Sequence, residues 1–325
     1  MINVITPLWR AIYAQQNHLK DIVPSNVNVN WVNLKDAVCA QDLDQLFRWY
    51  NTKNNYLFID CTKEDSEIRW IVDNLSKIYK KYRIKEDHVY WVSSNPYDKN
   101  YVKHHIFWEM FLTSVKEMIP DRSEIVLSNR TLIKKFVCYN GRNRKWRREL
   151  YDRIKQRRIE LSPSYSKPEL LLQEFEYVFN FDGDDETKNT HFKWNVFNDI
   201  SYDYEFWLVT ETLFDDGVSE HVFLTEKIFK PLLLKMGFVV AGRSGVLKKL
   251  RDLGFKTFSD YWDESYDNIL DSNTRMDAVV DTIEYIIIND VHLPDDILEY
   301  NFHVLKEHTA DQELINVMSN LKPCK

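Results

Sequence analysis

Glycine is scarce in this chain, with seven among 325 residues, and four of them fall between positions 219 and 267, each where a periodic apolar segment stops. Cysteine is scarcer still: Cys39, Cys61, Cys138 and Cys324 are scattered with no CxxC pair. That argues against an encoded disulfide framework or a cysteine zinc site and fits a reducing compartment. No apolar run approaches the roughly 18 to 20 residues that span a bilayer. The start, "MINVITPLWRAIYAQQNHLK", lacks the charged region, apolar run and small-residue cleavage site of an export signal. The expectation is a soluble, cytoplasmic protein with no membrane partner. None of the nine histidines sits in HExxH, and His104 and His105 are adjacent rather than one turn apart, so no shared metal is signalled. GxGxxG and the Walker phosphate loop are missing as well.

What the chain does contain is core-forming material. At 44% hydrophobic and 14% aromatic residues it can bury a sizeable interior, and its length predicts two domains. The net charge of −7 neither requires nor forbids an anionic partner.

"YLFID" (56–60) reads as a buried strand, and after it Ile68, Ile71, Val72, Leu75, Ile78 and Tyr79 repeat at helical spacing. "HVYWVSS" (88–94) is the next strand, followed by a second helical face through Ile106, Phe107, Met110, Phe111, Val115 and Met118. This alternation predicts a parallel sheet covered by helices, with functional loops at strand C-terminal ends. The turn formers of "PDRSEIVLSNRT" (120–131) mark a boundary, giving domains 1–125 and 126–325. In the second domain "LIKKFVCYN" (132–140), "YVFNF" (177–181), "EFWLVT" (205–210), "FVVAG" (238–242) and "FKTF" (255–258) read as strands, and "GRNRKWRRELYDRIKQRR" (141–158) as a basic helix. Thr225 is placed to cap a helix carrying Ile228, Leu232 and Leu233, which Gly237 ends in a left-handed conformation. "GRSG" (242–245) is a tight turn opening a helix that Gly254 ends, "TRMDAVVDTIEYIII" (274–288) begins with a Thr-x-x-Asp capping box, and helices close the chain from about 294.

Several positions can carry chemistry. Glu226 and Lys227 occupy a first helical turn: a carboxylate there can bind a diol, and an ammonium beside the positive helix end suits a phosphate, although both residues are also ordinary in a first turn. The free N–H groups of "GRSG", with Arg243 and Ser244, could hold an anion; a plain tight turn is the competing reading. Between 130 and 158, twelve basic residues face only Glu149 and Asp152. Trp146, Leu150 and Ile154 form the buried stripe of that helix, which leaves the arginines on its other faces. Arg142 and Arg144, at the turn into the helix, match a diphosphate, while Arg153, Lys155, Arg157 and Arg158 could track a nucleic-acid backbone. Asp60, Glu64 and Asp65 follow a strand and are candidates for a general base. "DGDDE" (182–186), with Asp182, Asp184 and Asp185, reads as an acidic surface turn rather than a chelator.

"VFLTEKIFKPLLLKMGFVVAG" resembles the donor-binding segment of alpha-1,3-fucosyltransferases: Thr-Glu-Lys, a helix with a small-residue stop, then an apolar strand ending near glycine. "KKFVCYNGRNRKWRREL" resembles the strand, turn and helix that open the same domain and carry a donor-phosphate arginine. The run through "LRDLGFKTFSDYWDESYD" is similar to fucosyltransferase-like proteins of phages and marine bacteria, so the resemblance covers about residues 130 to 267. It implies a GT-B fold, in which two Rossmann-like domains face a central cleft. The C-terminal domain would bind a nucleotide-sugar and the N-terminal domain the acceptor, with no metal or other cofactor required. Carried over by position, Glu226 would hold the donor ribose or sugar, and Lys227 with Arg142 or Arg144 its diphosphate. No acceptor motif is recognisable in the first domain. Two acceptors stay open, a glycan or a hydroxymethylated pyrimidine in phage DNA, and the arginine-rich helix tilts the reading toward DNA. The competing class is a non-catalytic nucleic-acid-binding protein that uses the same basic segment.

Overall fold

The structure, a computed structural model, describes residues 2–4, 22–33, 55–61, 79–94, 99–116, 126–132, 134–138, 144–157, 203–214, 222–309 and 311–323. It is mixed α/β with two parallel sheets, one in each of two compact units: residues 1–114 with 309–325, and residues 115–308. The first unit thus ends short of the division at 125 and recruits the chain's last segment.

In the first unit β1 (Ile2–Val4), β2 (Asn28–Asn33), β3 (Asn55–Asp60), β4 (Val89–Ser93) and β5 (His105–Phe107) pair in parallel in that order. β3 is buried at every position after the first, the pattern of a strand covered on both faces. In-register neighbours build an aromatic row across the sheet: Trp31 stacks on Phe58 at 5.5 Å, Phe58 on Tyr90 at 5.0 Å, and Tyr90 on His104 at 5.0 Å. Leu314, Met318 and Leu321 close this core from α7 (Gln312–Ser319) and the residues after it, and the Tyr56 hydroxyl donates to Lys322 O at 2.9 Å. Ile106 and Phe107, expected on a helix, lie in β5; helix α1 begins only at Met110 and runs to Lys116 (Met110–Lys116). A short apolar run is compatible with either period, and here pairing with β4 decides.

In the second unit β6 (Lys134–Val137), β7 (Tyr204–Thr210) and β8 (Gly237–Ala241) pair in parallel, with every residue of β7 and β8 buried. Around them lie α2 (Lys145–Gln156), α3 (Glu226–Leu233), α4 (Val246–Asp252), α5 (Ser272–Ile288) and α6 (Asp295–Glu307). Among the described strands neither sheet reverses its order, so neither shows the switch point of a doubly wound Rossmann sheet.

Four local expectations are corrected. Gly237 opens β8, and it is Lys235 that takes the left-handed conformation (φ 53) after α3. Glycine is needed at 237 for space: a Cβ there would lie 2.5 Å from the Phe206 ring and 2.7 Å from Leu293. Residues 255–258 form no strand, because side chains take their backbone groups: Asn301 bonds both Lys256 N and Lys256 O, and Glu264 accepts from Phe258 N. The cap of α5 is Asp271, which accepts from Thr274 N at 2.8 Å, so the helix starts earlier than the Thr-x-x-Asp pattern suggested. Finally, Arg147 turns inward from α2 and is only 7% exposed.

Candidate functional site

The parallel order of β7 and β8 sets their C-terminal ends side by side, and the chain leaves β7 through Thr210, Glu211 and Thr212. Against this exit lies the first turn of α3. Thr225 caps it, accepting from Lys227 N at 3.5 Å, as its place before the apolar run predicts. The Thr225 hydroxyl donates to Glu211 Oε2 at 2.6 Å, and Thr225 N donates to Glu211 Oε1 at 3.2 Å. Lys227 Nζ donates to Thr225 Oγ1 at 3.0 Å, to Glu226 Oε1 at 3.1 Å and, at 3.5 Å, to Thr212 Oγ1.

Two arginines of the basic segment brace the β7 exit from behind. Arg147 donates to Thr210 O and Glu211 O, each at 3.0 Å, and Arg144 to Thr212 O at 2.8 Å. Burial draws the Arg147 guanidinium down to about 10, with the charge of Arg144 adding to the effect. Lys230, one turn along α3, is drawn down to about 8 by burial, while Glu226 pulls the other way. Burial likewise pushes the Glu211 carboxyl up. The Glu226 carboxyl feels the same push, but the ammonium groups of Lys227 and Lys230 outweigh it and hold Glu226 below the usual carboxylate range. Lys227 and Lys230 thus lie against the Glu226 carboxylate, and Arg144 and Arg147 against the neighbouring β7-exit carbonyls, which gathers four cationic side chains and two carboxylates in a largely desolvated place at the N-terminus of an eight-residue helix. Such a surplus suits a phosphate or diphosphate, and the exposed remainder of Glu226 can accept from hydroxyls.

The structure brings together Thr225, Glu226, Lys227 and Arg144 from the expected donor set, whereas Arg142 lies outside the described residues. The "GRSG" turn is different. Its helix start already holds an anion of the protein's own: Asp267 accepts from Leu247 N and Lys248 N at 2.9 Å each, and Asp267 O accepts from Gly245 N at 2.7 Å. The Ser244 hydroxyl also donates to Asp267 O, at 2.7 Å. Arg275, 1% exposed, secures the turn by donating to Gly242 O, Ile269 O and Leu270 O. Of the turn's own N–H groups Gly245 N is thus occupied, as are Leu247 N and Lys248 N of the helix it opens, and Arg243 is half-buried beside them.

Of the candidate bases, Asp60 is 1% exposed and accepts from the Trp31 indole N–H at 3.0 Å; Glu64 and Asp65 lie outside the described residues. The basic helix face is engaged within the protein. Arg153 pairs with Asp277 at 2.9 Å and bonds Asn273, and Arg157 pairs with Asp281 and Glu284, all on α5. Lys135 is buried on Glu205 at 2.8 Å. Lys155 is exposed, and Arg158, Asp182, Asp184 and Asp185 lie outside the described residues.

Sequence reasoning passed over Glu211, Arg147 and Lys230. Glu211 had a usable signal, since it directly follows the strand "EFWLVT", where a carboxylate invites the same question as Asp60 after "YLFID". A cavity of about 480 Å³ in the first unit is lined by Tyr56, Tyr90, Asn316, Val317, Asn320 and Lys322 among others, and by none of the candidate site residues. Among the described residues no group of three or more His, Cys, Asp or Glu is arranged to hold a metal, and no helix is long and apolar enough to cross a membrane. Comparisons with protein-family models, with curated proteins and with solved structures each return no match.

Proposed function

We propose that the chain is a nucleotide-sugar-dependent glycosyltransferase of GT-B type, akin to the alpha-1,3-fucosyltransferases, with its donor held by the second unit. The observation that carries this reading is the cation-rich knot at the α3 N-terminus, where Lys227 and Lys230 act on Glu226, and Arg144 and Arg147 hold the backbone carbonyls of the adjoining β7 exit. In the reaction, an acceptor hydroxyl oxygen forms a bond to the anomeric carbon. The bond from that carbon to the diphosphate oxygen breaks, and the nucleoside diphosphate leaves with the electron pair. Lys227 and Arg144 stabilise the charge that grows on the leaving phosphate, and Glu226 accepts from a ribose or sugar diol. Lys227 already directs donors to three oxygens, so a phosphate would displace its longest contact, Thr212 Oγ1 at 3.5 Å. The acceptor proton passes to a general base, for which Asp60, Glu64 and Asp65 are the candidates read from the sequence.

For the acceptor, a glycan is favoured over DNA. Arg153 and Arg157, two of the residues read as tracking a nucleic-acid backbone, are spent on α5 carboxylates. The non-catalytic nucleic-acid-binding reading weakens for the same reason. A thermal-shift panel of UDP, GDP, CMP and ADP tests the proposal. A ligand at a hundred times its dissociation constant adds about 2.7 kcal/mol of stability, so one nucleotide should raise the melting temperature clearly above the others. No shift with any of the four, together with no turnover of the matching nucleotide-sugars, would defeat it.

A further inference from the structure

We infer that Glu211 is a positioning residue of this site: it fixes the Thr225 hydroxyl as an acceptor and so holds the Lys227 ammonium where a donor diphosphate would lie. The inference rests on the donor-site reading above and deepens it. A threonine hydroxyl has one proton, and here that proton goes to Glu211 Oε2 at 2.6 Å. The oxygen's lone pairs are left for Lys227, which gives it Nζ–H at 3.0 Å and its backbone N–H at 3.5 Å. Reverse the hydroxyl, and its proton would point at an ammonium.

Glu211 meets donors on both arms. Thr225 N–H comes to Oε1, and the Thr225 hydroxyl and Thr212 N–H come to Oε2. Only a group that accepts on both oxygens satisfies that set, which an ionised carboxylate does. A glutamine of the same shape sets an NH2 against at least one of these donors in either orientation. The backbone beneath is fixed too, since Arg147 holds Glu211 O and Thr210 O, and the side chain is 1% exposed. The carboxylate therefore has no solvent route by which to turn away, and its influence reaches the ligand position through Thr225 and Lys227.

Isothermal titration with inorganic pyrophosphate reads the diphosphate position without depending on the donor's base or sugar. Losing a hydrogen bond to a charged group costs about tenfold in affinity, and Glu211→Gln is expected to weaken pyrophosphate binding by about that factor. Made in a Lys227→Met background, the same change should have less than about a twofold effect, because the residue through which Glu211 acts is gone. A general structural role would lower affinity equally in both backgrounds, and that result overturns the inference, as does a Glu211→Gln protein that binds pyrophosphate like the parent. Should Glu211→Gln fail to fold by circular dichroism, Thr225→Val, which removes the hydroxyl and leaves the carboxylate, must show the same dependence on Lys227. A parent protein that binds no pyrophosphate also ends the inference. Failure of the glycosyltransferase reading looks different: pyrophosphate binds and the two changes couple, but no nucleotide stabilises the protein and no sugar is transferred.

Discussion

Replacing Asp267 with alanine removes the carboxylate that closes the start of α4. Leu247 N and Lys248 N each lose an acceptor at 2.9 Å, and the Leu247 amide is buried. A hydrogen bond to a charged acceptor contributes about 1.5–3 kcal/mol when the partner left behind is buried, and losing a helix cap costs about 1 kcal/mol. Lys248 N is only part-buried and water can replace part of its bond, so the loss should total about 3 kcal/mol. The backbone bond from Gly245 N to Asp267 O at 2.7 Å survives the substitution, so the turn keeps its path. For a unit of this size each kcal/mol moves the melting temperature about 2–4 °C, and calorimetry should find the variant melting about 6–12 °C lower. Sodium formate should restore part of that loss by supplying a carboxylate to the vacated helix end. Pyrophosphate affinity in the parent protein should not depend on this turn. The reasoning fails if Asp267→Ala melts like the parent while its pyrophosphate affinity changes tenfold, since the turn would then be a ligand site.

The other expectations follow from single features. Glu226→Ala and Lys227→Ala should each abolish transfer and melt within a few degrees of the parent, because both side chains stand outside the apolar stripe of α3; unfolding of both, or normal turnover, would count against the donor site. Transfer should persist in EDTA, since in the proposed reaction Lys227 and Arg144 supply the counter-charge for the leaving diphosphate, and loss restored by manganese or magnesium would contradict this. His105, drawn down to about 4 by burial, is neutral in the fold at pH values where the unfolded chain, near the ordinary value of about 6.5, takes a proton. Because the folded value is the lower one, stability should fall as the pH drops from about 6.5 to about 4 and then level off, a dependence that His105→Gln should remove from urea melts. Gly237→Ala should destabilise by about 1–3 kcal/mol through overpacking, because the new methyl meets the Phe206 ring and Leu293; a neutral result in urea unfolding would show that the ring can shift.

Much of the fold was legible where the hydrophobic period was unambiguous. β3, β4, β6, β7 and β8 all fall on strands read from apolar runs, and α2, α3 and α4 on amphipathic ones, because burial on a sheet face or helix stripe imposes its period locally. What failed was long-range. Whether Ile106 belongs to a helix or a strand depends on pairing with β4. Residues 255–258 have a strand's composition but bond to Asn301, 45 positions away. Gly237 looked like a helix stop because a glycine's reason, conformational or spatial, is not written in its neighbours; the ring that demands it belongs to Phe206.

The site divides along the same line. Thr225, Glu226 and Lys227 could be found because capping and helix-end electrostatics act within one turn. The basic segment misled for the opposite reason: its arginines were read as surplus charge, yet the carboxylates and carbonyls that receive them are far along the chain. Arg147 reaches the β7 exit 63 and 64 residues on, Arg153 reaches α5 at Asp277 124 residues on, and Arg157 reaches Asp281 at the same separation. A local excess of one charge is therefore a weak sign of an external partner until its internal partners are known, and in this chain one of those partners, the β7 exit, adjoins the candidate site. The arginine that leaves the helix surface for the β7 exit fixes Glu211, and Glu211 fixes the threonine that holds Lys227.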